Sequence, residues 1–352
     1  MKTRITELFG IQYPIILSGM TGVSTPELVA SVSNAGGLGI LATGNLNTDE
    51  IRKAVKTVKQ LTNKPFGANI PLLIPGAGKK AEVLIQEQVP VVNYSLGKGD
   101  WLVKKVHSYG GKVVATVVTH KHAKAAERDG ADALIVTGHE AAAHGGAVTS
   151  LVLTPSIANA VVIPVIAAGG FADGSGLAAA LALKAEGIAM GTRFMNTLES
   201  PVHENMKRQS IERSVHDTVY SDRIDGLPCR AMKSPGTEKL VRSRFVIFRA
   251  LVNSRYAAKA YGFPWLKLTA GILFAGYRKA ITLARMANAF KPIQLAMSHG
   301  DSDQGVLLLG QVTGMIEDTP SVSDLINRMV KEACDASRSI TEKLASEIEL
   351  IP

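Results

Sequence analysis

The sequence predicts a (β/α)8 barrel, the TIM-barrel fold of the α/β class, with an inserted helical subdomain. Short aliphatic segments alternate eight times with helix-like segments between residues 14 and 192 of the 352-residue chain. The chain has 33 Gly, 46% hydrophobic and only 5% aromatic residues, a composition that suits buried parallel strands covered by helices. Polar or glycine-rich positions follow many of the aliphatic segments, as they do at the C-terminal face of a barrel.

Eight strands are predicted, because each aliphatic segment ends in or near Gly, Asn, Thr or Ser and gives way to a different pattern. They lie at residues 14–20, 37–42, 65–72, 89–96, 112–118, 131–138, 162–170 and 186–192. The helices between them include residues 25–35, 48–61, 78–88, 100–109, 120–129 and 174–183. The first helix has Thr25 as its N-cap and Pro26 at its first position. Strands that alternate with helices form right-handed βαβ units and a parallel sheet.

An open, doubly wound sheet is the alternative arrangement of the same elements. Such a sheet normally carries one glycine fingerprint, at its first strand-to-helix turn. Here the residues suited to chemistry follow many strands: Met20, Asn69, Asn93, His144, Gly169-Gly170 and Gly191-Thr192. A site drawn from the carboxyl ends of several strands is typical of a barrel, so the closed barrel is favoured.

The pattern changes after Thr192. Residues 200–211 are expected to form the last barrel helix, and residues 1–215 and 300–352 to make up the barrel. Residues 216–299 are predicted to be a basic, mainly helical insertion, or lid, with amphipathic stretches at 242–261 and 266–289. A final helix at residues 321–344 is expected to dock back on the barrel.

Positive charge is concentrated in this insertion. Residues 239–300 contain eleven Lys and Arg and no Asp or Glu, whereas the whole chain has a formal net charge of +9. Three interpretations stay open: a solvated helical lid, recruitment of an anionic or acyl-carrier substrate, or an oligomer contact such as a homodimer. The apolar spacing suits helix packing better than base stacking, so no nucleic-acid partner is expected.

Two glycine loops near the end of the barrel predict a phosphate site. Gly169-Gly170 follows the seventh strand, and Gly191-Thr192 follows the eighth. Glycine lets a phosphate approach the backbone, whose N–H groups then act as donors. The loops after strands 7 and 8 are a frequent phosphate site in barrels, so this interpretation is favoured over ordinary tight turns.

Two histidines follow the sixth strand, in a glycine-rich segment at residues 138–146. His139 and His144 are five residues apart, whereas the zinc-protease pattern needs a spacing of four on a helix, so no metal site is expected. Histidine exchanges protons near neutral pH, which makes a histidine at the barrel mouth a candidate for proton transfer. We expect the loop backbone to satisfy His139 and His144 to face a ligand.

The sequence resembles the nitronate monooxygenase family, formerly called 2-nitropropane dioxygenases. The motifs that carry the resemblance span nearly all of residues 1–215 and 300–335, in order. They are the segments at residues 14–20, 35–39, 65–69, 130–133, 138–146, 167–170, 190–194, 199–204 and 305–314. Each motif is weak alone, but the ordered combination is specific. The family consists of FMN-dependent barrels and also includes NADH:quinone reductases and an enoyl-acyl-carrier-protein reductase.

The resemblance implies that FMN lies over the barrel mouth and that His144 is the catalytic residue. The residues implied to bind the cofactor are Gly19, Met20, Asn69, Gly146, Gly169, Gly170, Gly191 and Thr192. In this family a histidine removes the proton next to a nitro group, and the nitronate reacts with O2 to give a carbonyl compound and nitrite. We therefore expect FMN-dependent oxidation of alkyl nitronates, with a small-molecule nitronate and O2 as the reaction partners.

Two other functions remain open. The chain could be an FMN-dependent NAD(P)H oxidoreductase acting on a quinone or an enoyl thioester, which the basic insertion favours slightly because such partners are anionic. It could also be a flavin-binding barrel without catalysis, against which His144 argues. The choice between O2 and a reduced nucleotide as redox partner is open as well.

The remaining features concern the compartment. Cys229 and Cys334 are the only cysteines, which excludes a disulfide scaffold and fits a reducing environment. No secretory signal is recognised at the start of the sequence. The uncharged stretch at residues 145–172 contains Pro155, Pro164 and a Gly pair, so it predicts a buried helix and strand rather than a membrane span. A cytoplasmic protein is expected.

Overall fold

The computed structural model describes residues 1–74, 76–142, 144–244, 246–261, 265 and 276–348. Its centre is a closed barrel of eight parallel strands, which confirms the predicted fold. The strands are β1 (Ile15–Leu17), β2 (Leu38–Ala42), β3 (Phe66–Pro71), β4 (Val91–Ser95), β5 (Lys112–Val117), β6 (Ala133–Thr137), β7 (Val165–Ala168) and β8 (Gly187–Met190). Pairing of Ile16 in β1 with Ala189 in β8 closes the barrel.

Helices accompany these strands. They are α1 (Arg4–Phe9), α2 (Pro26–Asn34), α3 (Thr48–Leu61), α4 (Ala77–Gln86), α5 (Asp100–His107), α6 (His120–Arg128), α7 (Ser150–Ala158), α8 (Gly174–Ala182), α9 (Thr192–Met195) and α10 (Glu204–Ile211). Helix α1, which precedes β1, lies at the N-terminal end of the barrel, and the others follow the strands around the outside. Side-chain caps fix several of their starts: Asn47 accepts bonds from the backbone of α3, and Thr119 from that of α6. The predicted bounds differ from these by a few residues at most.

Aliphatic side chains fill the barrel interior. Ile16, Ile40, Val114 and Ile166 belong to one buried cluster, which α1 extends at the N-terminal end of the barrel with Ile5 and Phe9. Toward the C-terminal ends of β3, β4 and β5, the next inward-facing residue of each strand is polar. These residues are Asn69, Asn93 and Thr116. The interior is therefore apolar toward the N-terminal end of the barrel and polar at its C-terminal mouth.

The long uncharged stretch forms α7 and β7, as the sequence predicts. Strand β7 is buried throughout. The expectation of a buried helix is only half right, because Leu151 and Val152 on α7 are 67% and 58% exposed while Leu153 and Ile157 are buried. A helix on the outside of a barrel has one face toward the strands and another away from them. No helix within the described residues is long and apolar enough to cross a membrane.

The insertion begins with a two-stranded antiparallel sheet that the sequence analysis did not predict. It consists of β9 (Thr218–Ser221) and β10 (Cys229–Met232), and we call residues 218–232 the hairpin. Its strands are only four residues long and mix polar with apolar residues, so they give no clear alternation.

Three helices follow in the insertion: α11 (Pro235–Val241), α12 (Val246–Tyr261) and α13 (Tyr277–His299). Helices α12 and α13 pack through Ala250, Ala284 and Ala287, and Asn253 donates to Asn288 across them at 2.9 Å. The predicted helix at 242–261 begins four residues later, at Val246. Of the predicted helix at 266–289, the part from Tyr277 onward belongs to α13, and residues 266–275 lie outside the described residues.

The C-terminal helix α14 (Val322–Ile348) packs on α8, which confirms the predicted docking. The two helices approach so closely that a side chain on Gly174 would overlap the carbonyl group of Met329. Glu332 accepts a hydrogen bond from the Gly174 N–H at 2.8 Å and so caps the start of α8.

Candidate active site

The described residues of the loop after β6, 138–142 and 144–149, fold back on one another at the barrel mouth. The Gly138 N–H donates to the Ala168 carbonyl at 2.9 Å, which ties the loop to the end of β7. The ring Nδ1 of His139 lies 3.0 Å from the Gly146 carbonyl, so the loop backbone satisfies His139, as predicted. Gly146 itself lies against Val118, just past the end of β5.

His144 lies in the same loop and is bound differently. Its Nε2 is 3.6 Å from Oδ2 of Asp225 in the hairpin, and the two side chains are only 27% and 15% exposed. Its Nδ1 is buried and has no hydrogen-bond partner among the described residues. A histidine with a carboxylate at one ring nitrogen and a free second nitrogen can accept a proton from a ligand while the carboxylate stabilises the resulting charge.

Two contacts within the hairpin hold Asp225 in place. Its Oδ1 accepts a hydrogen bond from the Leu227 N–H at 3.0 Å and lies 3.6 Å from the Cys229 sulfur. Burial, followed by the nearby Asp225 carboxylate, raises the pKa of the Cys229 thiol far above its ordinary value. The thiol therefore stays protonated and donates to Asp225, whose second oxygen faces His144.

The hairpin also holds the backbone of the histidine loop. The Tyr220 hydroxyl donates to the Gly145 carbonyl at 3.0 Å, and the His139 ring packs on the Tyr220 ring at a centroid distance of 4.4 Å. The Arg230 guanidinium donates to the His139 carbonyl at 3.1 Å and lies over the Tyr220 ring. Burial lowers the pKa of Arg230, because its charge is partly removed from water.

The predicted phosphate loops have a backbone suited to an anion. Gly169 and Gly170 both have positive φ, +96° and +86°, directly after β7. Side chains other than glycine rarely adopt this conformation, and successive backbone N–H groups in such a turn can converge on a bound anion. A Cβ on Gly191 would lie 3.1 Å from the Met20 sulfur, so Gly191 and Met20 meet at the ends of β8 and β1.

A late turn connects these loops. The Gly310 N–H donates to the Thr192 hydroxyl at 2.9 Å, and the Gln311 N–H donates to the Glu140 carbonyl at 2.9 Å. Glu140 in turn accepts bonds from the N–H and hydroxyl of Ser150 at the start of α7. The turn at Gly310 thus fixes the histidine loop relative to the end of β8.

The remaining predicted residues, Gly19 and Asn69, meet at the ends of β1 and β3. A side chain on Gly19 would overlap Asn69, which shows how closely β1 and β3 approach there. The Asn69 amide donates to Asn93 at 2.7 Å, and the Asn93 amide donates to Thr116 at 3.0 Å. These bonds form a polar row across β3, β4 and β5.

The sequence alone does not indicate Asp225, Tyr220 or Arg230 as residues of the candidate site. All three come from the insertion, at least 75 residues after the loop that they contact. The only local signal was the turn formed by Gly226, Leu227 and Pro228 before Cys229. Within the described part of the chain, no three His, Cys, Asp or Glu residues are grouped so that they could hold a metal ion.

Comparison with known proteins shows similarity along nearly the whole chain. The profile of the family described as nitronate monooxygenase matches residues 2–83 and 76–332. A relative from Rhodococcus jostii (strain RHA1) is 39% identical over 339 residues, which are 95% of this chain and 96% of the relative. Its name is (3aS,4S,5R,7aS)-5-hydroxy-7a-methyl-1-oxo-octahydro-1H-indene-4-carboxyl-CoA dehydrogenase.

Two further proteins are similar. A "Probable nitronate monooxygenase" from Staphylococcus aureus (strain MSSA476) is 31% identical over 285 residues, which cover 68% of this chain and 80% of that protein. Among solved structures, FabK from Thermotoga maritima superimposes with a TM-score of 0.81 and 35% identity, covering 97% of this chain and 99% of FabK.

Proposed function

Because the chain belongs to the nitronate monooxygenase family of oxidoreductases, we propose that it is an FMN-dependent oxidoreductase that acts on a CoA thioester. One observation supports this chemistry: His144 has Asp225 at one ring nitrogen and no hydrogen-bond partner at the other among the described residues. The choice of substrate is supported by the similarity, over 95% of the chain, to the carboxyl-CoA dehydrogenase.

FMN is the cofactor that we propose for the barrel mouth. Gly169, Gly170, Gly191 and Thr192 would hold its phosphate, and the two consecutive left-handed glycines fit an anion. Gly19, Met20, Asn69 and Gly146 would surround its ring system, with the Asn69 amide at the edge of the ring. Bound FMN supplies a two-electron acceptor.

His144 is proposed to remove a proton from the substrate. A carbon atom next to a thioester carbonyl is acidic enough for a positioned general base to deprotonate it. The free Nδ1 of His144 takes the proton, and the carboxylate of Asp225 stabilises the positive ring that results. Asp225 is therefore a positioning residue, and Tyr220 and Arg230 fix the loop that carries His144.

Oxidation of alkyl nitronates is the second candidate function. It is supported by the similarity to the Staphylococcus aureus protein named as a nitronate monooxygenase. The proton next to a nitro group is acidic for the same reason as the proton next to a thioester, so His144 would convert a neutral nitroalkane into its nitronate; a nitronate supplied as such needs no proton removal. With O2 as the oxidant, the products would be a carbonyl compound and nitrite.

Steady-state kinetics on the purified protein test the choice. Three reactions are compared: the bicyclic carboxyl-CoA named above with an artificial electron acceptor, an alkyl nitronate with O2, and NADH with a quinone. The proposal predicts that kcat/KM is highest for the CoA thioester and much lower for the matching free acid. If the nitronate is preferred, the second candidate is correct; if NADH with the quinone is preferred, both are wrong.

A further inference from the structure

An open cavity of about 900 Å³ lies in the basic insertion, outside the barrel mouth. Four arginines line it: Arg223 from the hairpin, Arg242 and Arg244 from the segment after α11, and Arg285 from α13. Phe248 also lines it, and its side chain is 72% exposed. A smaller adjoining cavity of about 500 Å³ shares Arg244 and Phe248 and adds Arg249.

The cavity has more arginines than acidic residues to pair with them. Arg285 is paired with Asp222 at 3.2 Å, and Arg242 with Glu238 at 3.3 Å. Arg244 is exposed, and neither Arg244 nor Arg223 has an ion pair among the described residues; the Arg223 guanidinium donates to the Val241 carbonyl at 3.5 Å. The cavity therefore presents a surplus of positive charge beside an exposed aromatic ring.

The hairpin connects this cavity to the candidate active site. Arg285 donates to the carbonyl and carboxylate oxygens of Asp222, and the Asp222 carbonyl also accepts from the Gly226 N–H at 3.1 Å. Asp225, three residues after Asp222, faces His144. Three residues of chain span at most about 10 Å, so the cavity lies within reach of a long substrate arm that starts at His144.

We propose that this arginine cavity binds the phosphorylated nucleotide part of CoA while the thioester lies at His144. The inference rests on the proposed function and specifies where the CoA part of the substrate binds. Guanidinium groups bind phosphate oxygens through paired, charge-assisted hydrogen bonds. An exposed Phe ring offers a face on which the adenine base can stack. The flexible pantetheine arm of CoA spans from the nucleotide to the thioester.

Calorimetric titration of the flavin-containing protein tests the proposal, with CoA and dephospho-CoA as probes. Dephospho-CoA lacks the ribose phosphate, so CoA should bind roughly tenfold tighter, as expected for one lost charge-assisted contact. Arg244→Gln should weaken CoA binding by a similar factor. Lys239→Gln is the matched control, because Lys239 is an exposed cation of α11, five residues before Arg244, that does not line the cavity. It should bind CoA as the unmodified protein does.

The kinetic readout separates this inference from the proposed function. Arg244→Gln is expected to raise KM for the bicyclic carboxyl-CoA about tenfold at unchanged kcat, with a smaller effect at high salt because ions screen the charge. Turnover with unchanged KM in Arg244→Gln and in the double variant Arg244→Gln/Phe248→Ala would overturn the cavity assignment and leave the proposed function intact. If the unmodified protein neither binds CoA nor turns over the thioester, yet oxidises nitronates, both are overturned.

Discussion

Substitution of His144 tests the proposed proton transfer most directly. We predict that His144→Asn lowers kcat by about two to four orders of magnitude, because the general base is lost while the loop keeps a polar side chain. Flavin content, measured from the absorbance spectrum, should be unchanged. His122→Asn, an exposed histidine of α6, is the control and should keep full activity. Full activity in His144→Asn would remove the proton-transfer role.

Asp225 is proposed to act through His144, so its test needs a different measurement. Asp225→Asn keeps the shape of the side chain but removes the negative charge 3.6 Å from Nε2. We expect kcat to fall at least about tenfold with little change in KM, because the charged ring is no longer stabilised after proton transfer. Asp217→Asn, which removes another carboxylate of the insertion, should leave kcat unchanged. A rise in KM at constant kcat would instead indicate a role in substrate binding.

Among individual residues, the sequence indicates some members of the candidate site and not others. His144 is recognisable because it lies in a glycine-rich loop after a strand, and His139 is correctly predicted to be satisfied by its own loop. Asp225 could not be found, because its approach to His144 depends on how the insertion folds over the barrel. Local sequence patterns contain no information about contacts between residues 81 positions apart.

The turn after β7 is the element on which the cofactor assignment depends. Gly170→Ala should destabilise the protein by about 1–2 kcal/mol, because alanine is strained at φ +86°, and should also release FMN. Gly110→Ala is the matched control: its φ is +81°, a Cβ there meets nothing within 4 Å, and it lies in the turn before β5. It should lose similar stability but retain FMN on dialysis. Retention of FMN by Gly170→Ala would contradict the placement.

The hairpin is the element that holds the histidine loop. Tyr220→Phe removes the bond to the Gly145 carbonyl, which we expect to contribute about 1 kcal/mol. Hydrogen exchange should accelerate in residues 138–149 and kcat should fall. The control Tyr109→Phe removes an equivalent bond, from Tyr109 to the Val89 carbonyl, on the outside of the barrel. Equal exchange rates in the loop for both variants would show that the hairpin does not hold it.

The strands and helices of the barrel are predictable because hydrophobic residues follow one clear pattern in each. Most residues of β1–β8 are aliphatic, and helices such as α3 and α6 begin with a side-chain cap. Strands β9 and β10 were missed, since four mixed residues are too short for a period to emerge. Their contacts outside the hairpin are long-range: Ala231 pairs with Leu308, and the Arg230 N–H donates to the Ala142 carbonyl at 2.9 Å.

The whole molecule is held together partly by an ion cluster between the barrel and its C-terminal segment. Asp318 accepts from Arg328 at 2.6 Å and from Arg193 at 3.0 Å, and the Arg193 side chain is 3% exposed. The hydrogen bond from Arg328, followed by the charge of Arg193, lowers the pKa of Asp318. The carboxylate thereby links α9 to α14.

Asp318→Asn should reduce the free energy of unfolding by about 1–2 kcal/mol at neutral pH, a discounted value because the Asp318 side chain is 43% exposed. Since the folded pKa is lowered, the stabilisation is complete above the unfolded value of about 3.9 and disappears as the pH falls through the folded value. Thermal unfolding at several pH values checks this. The exposed Asp303→Asn serves as control; a difference that persists at the lowest pH would contradict the ionic origin.

For the whole molecule, the sequence predicts the barrel, which the structure confirms. The bounds of the basic insertion, residues 216–299, stay a prediction. The sequence does not predict that the arginines Arg223, Arg242, Arg244 and Arg285 converge on one cavity, because they come from a hairpin, a connecting segment and a helix. The charge count alone fitted a solvated lid equally well. Only the fold of the insertion brings these residues together.

A flavin at this barrel mouth is proposed to take electrons from a CoA thioester. The most direct test is an anaerobic absorbance titration of the purified protein with the bicyclic carboxyl-CoA, an alkyl nitronate and NADH in separate cuvettes. We predict that the flavin absorbance is bleached stoichiometrically by the thioester and that His144→Asn abolishes this bleaching. Bleaching by the nitronate or NADH alone, or a purified protein without flavin, would contradict the claim.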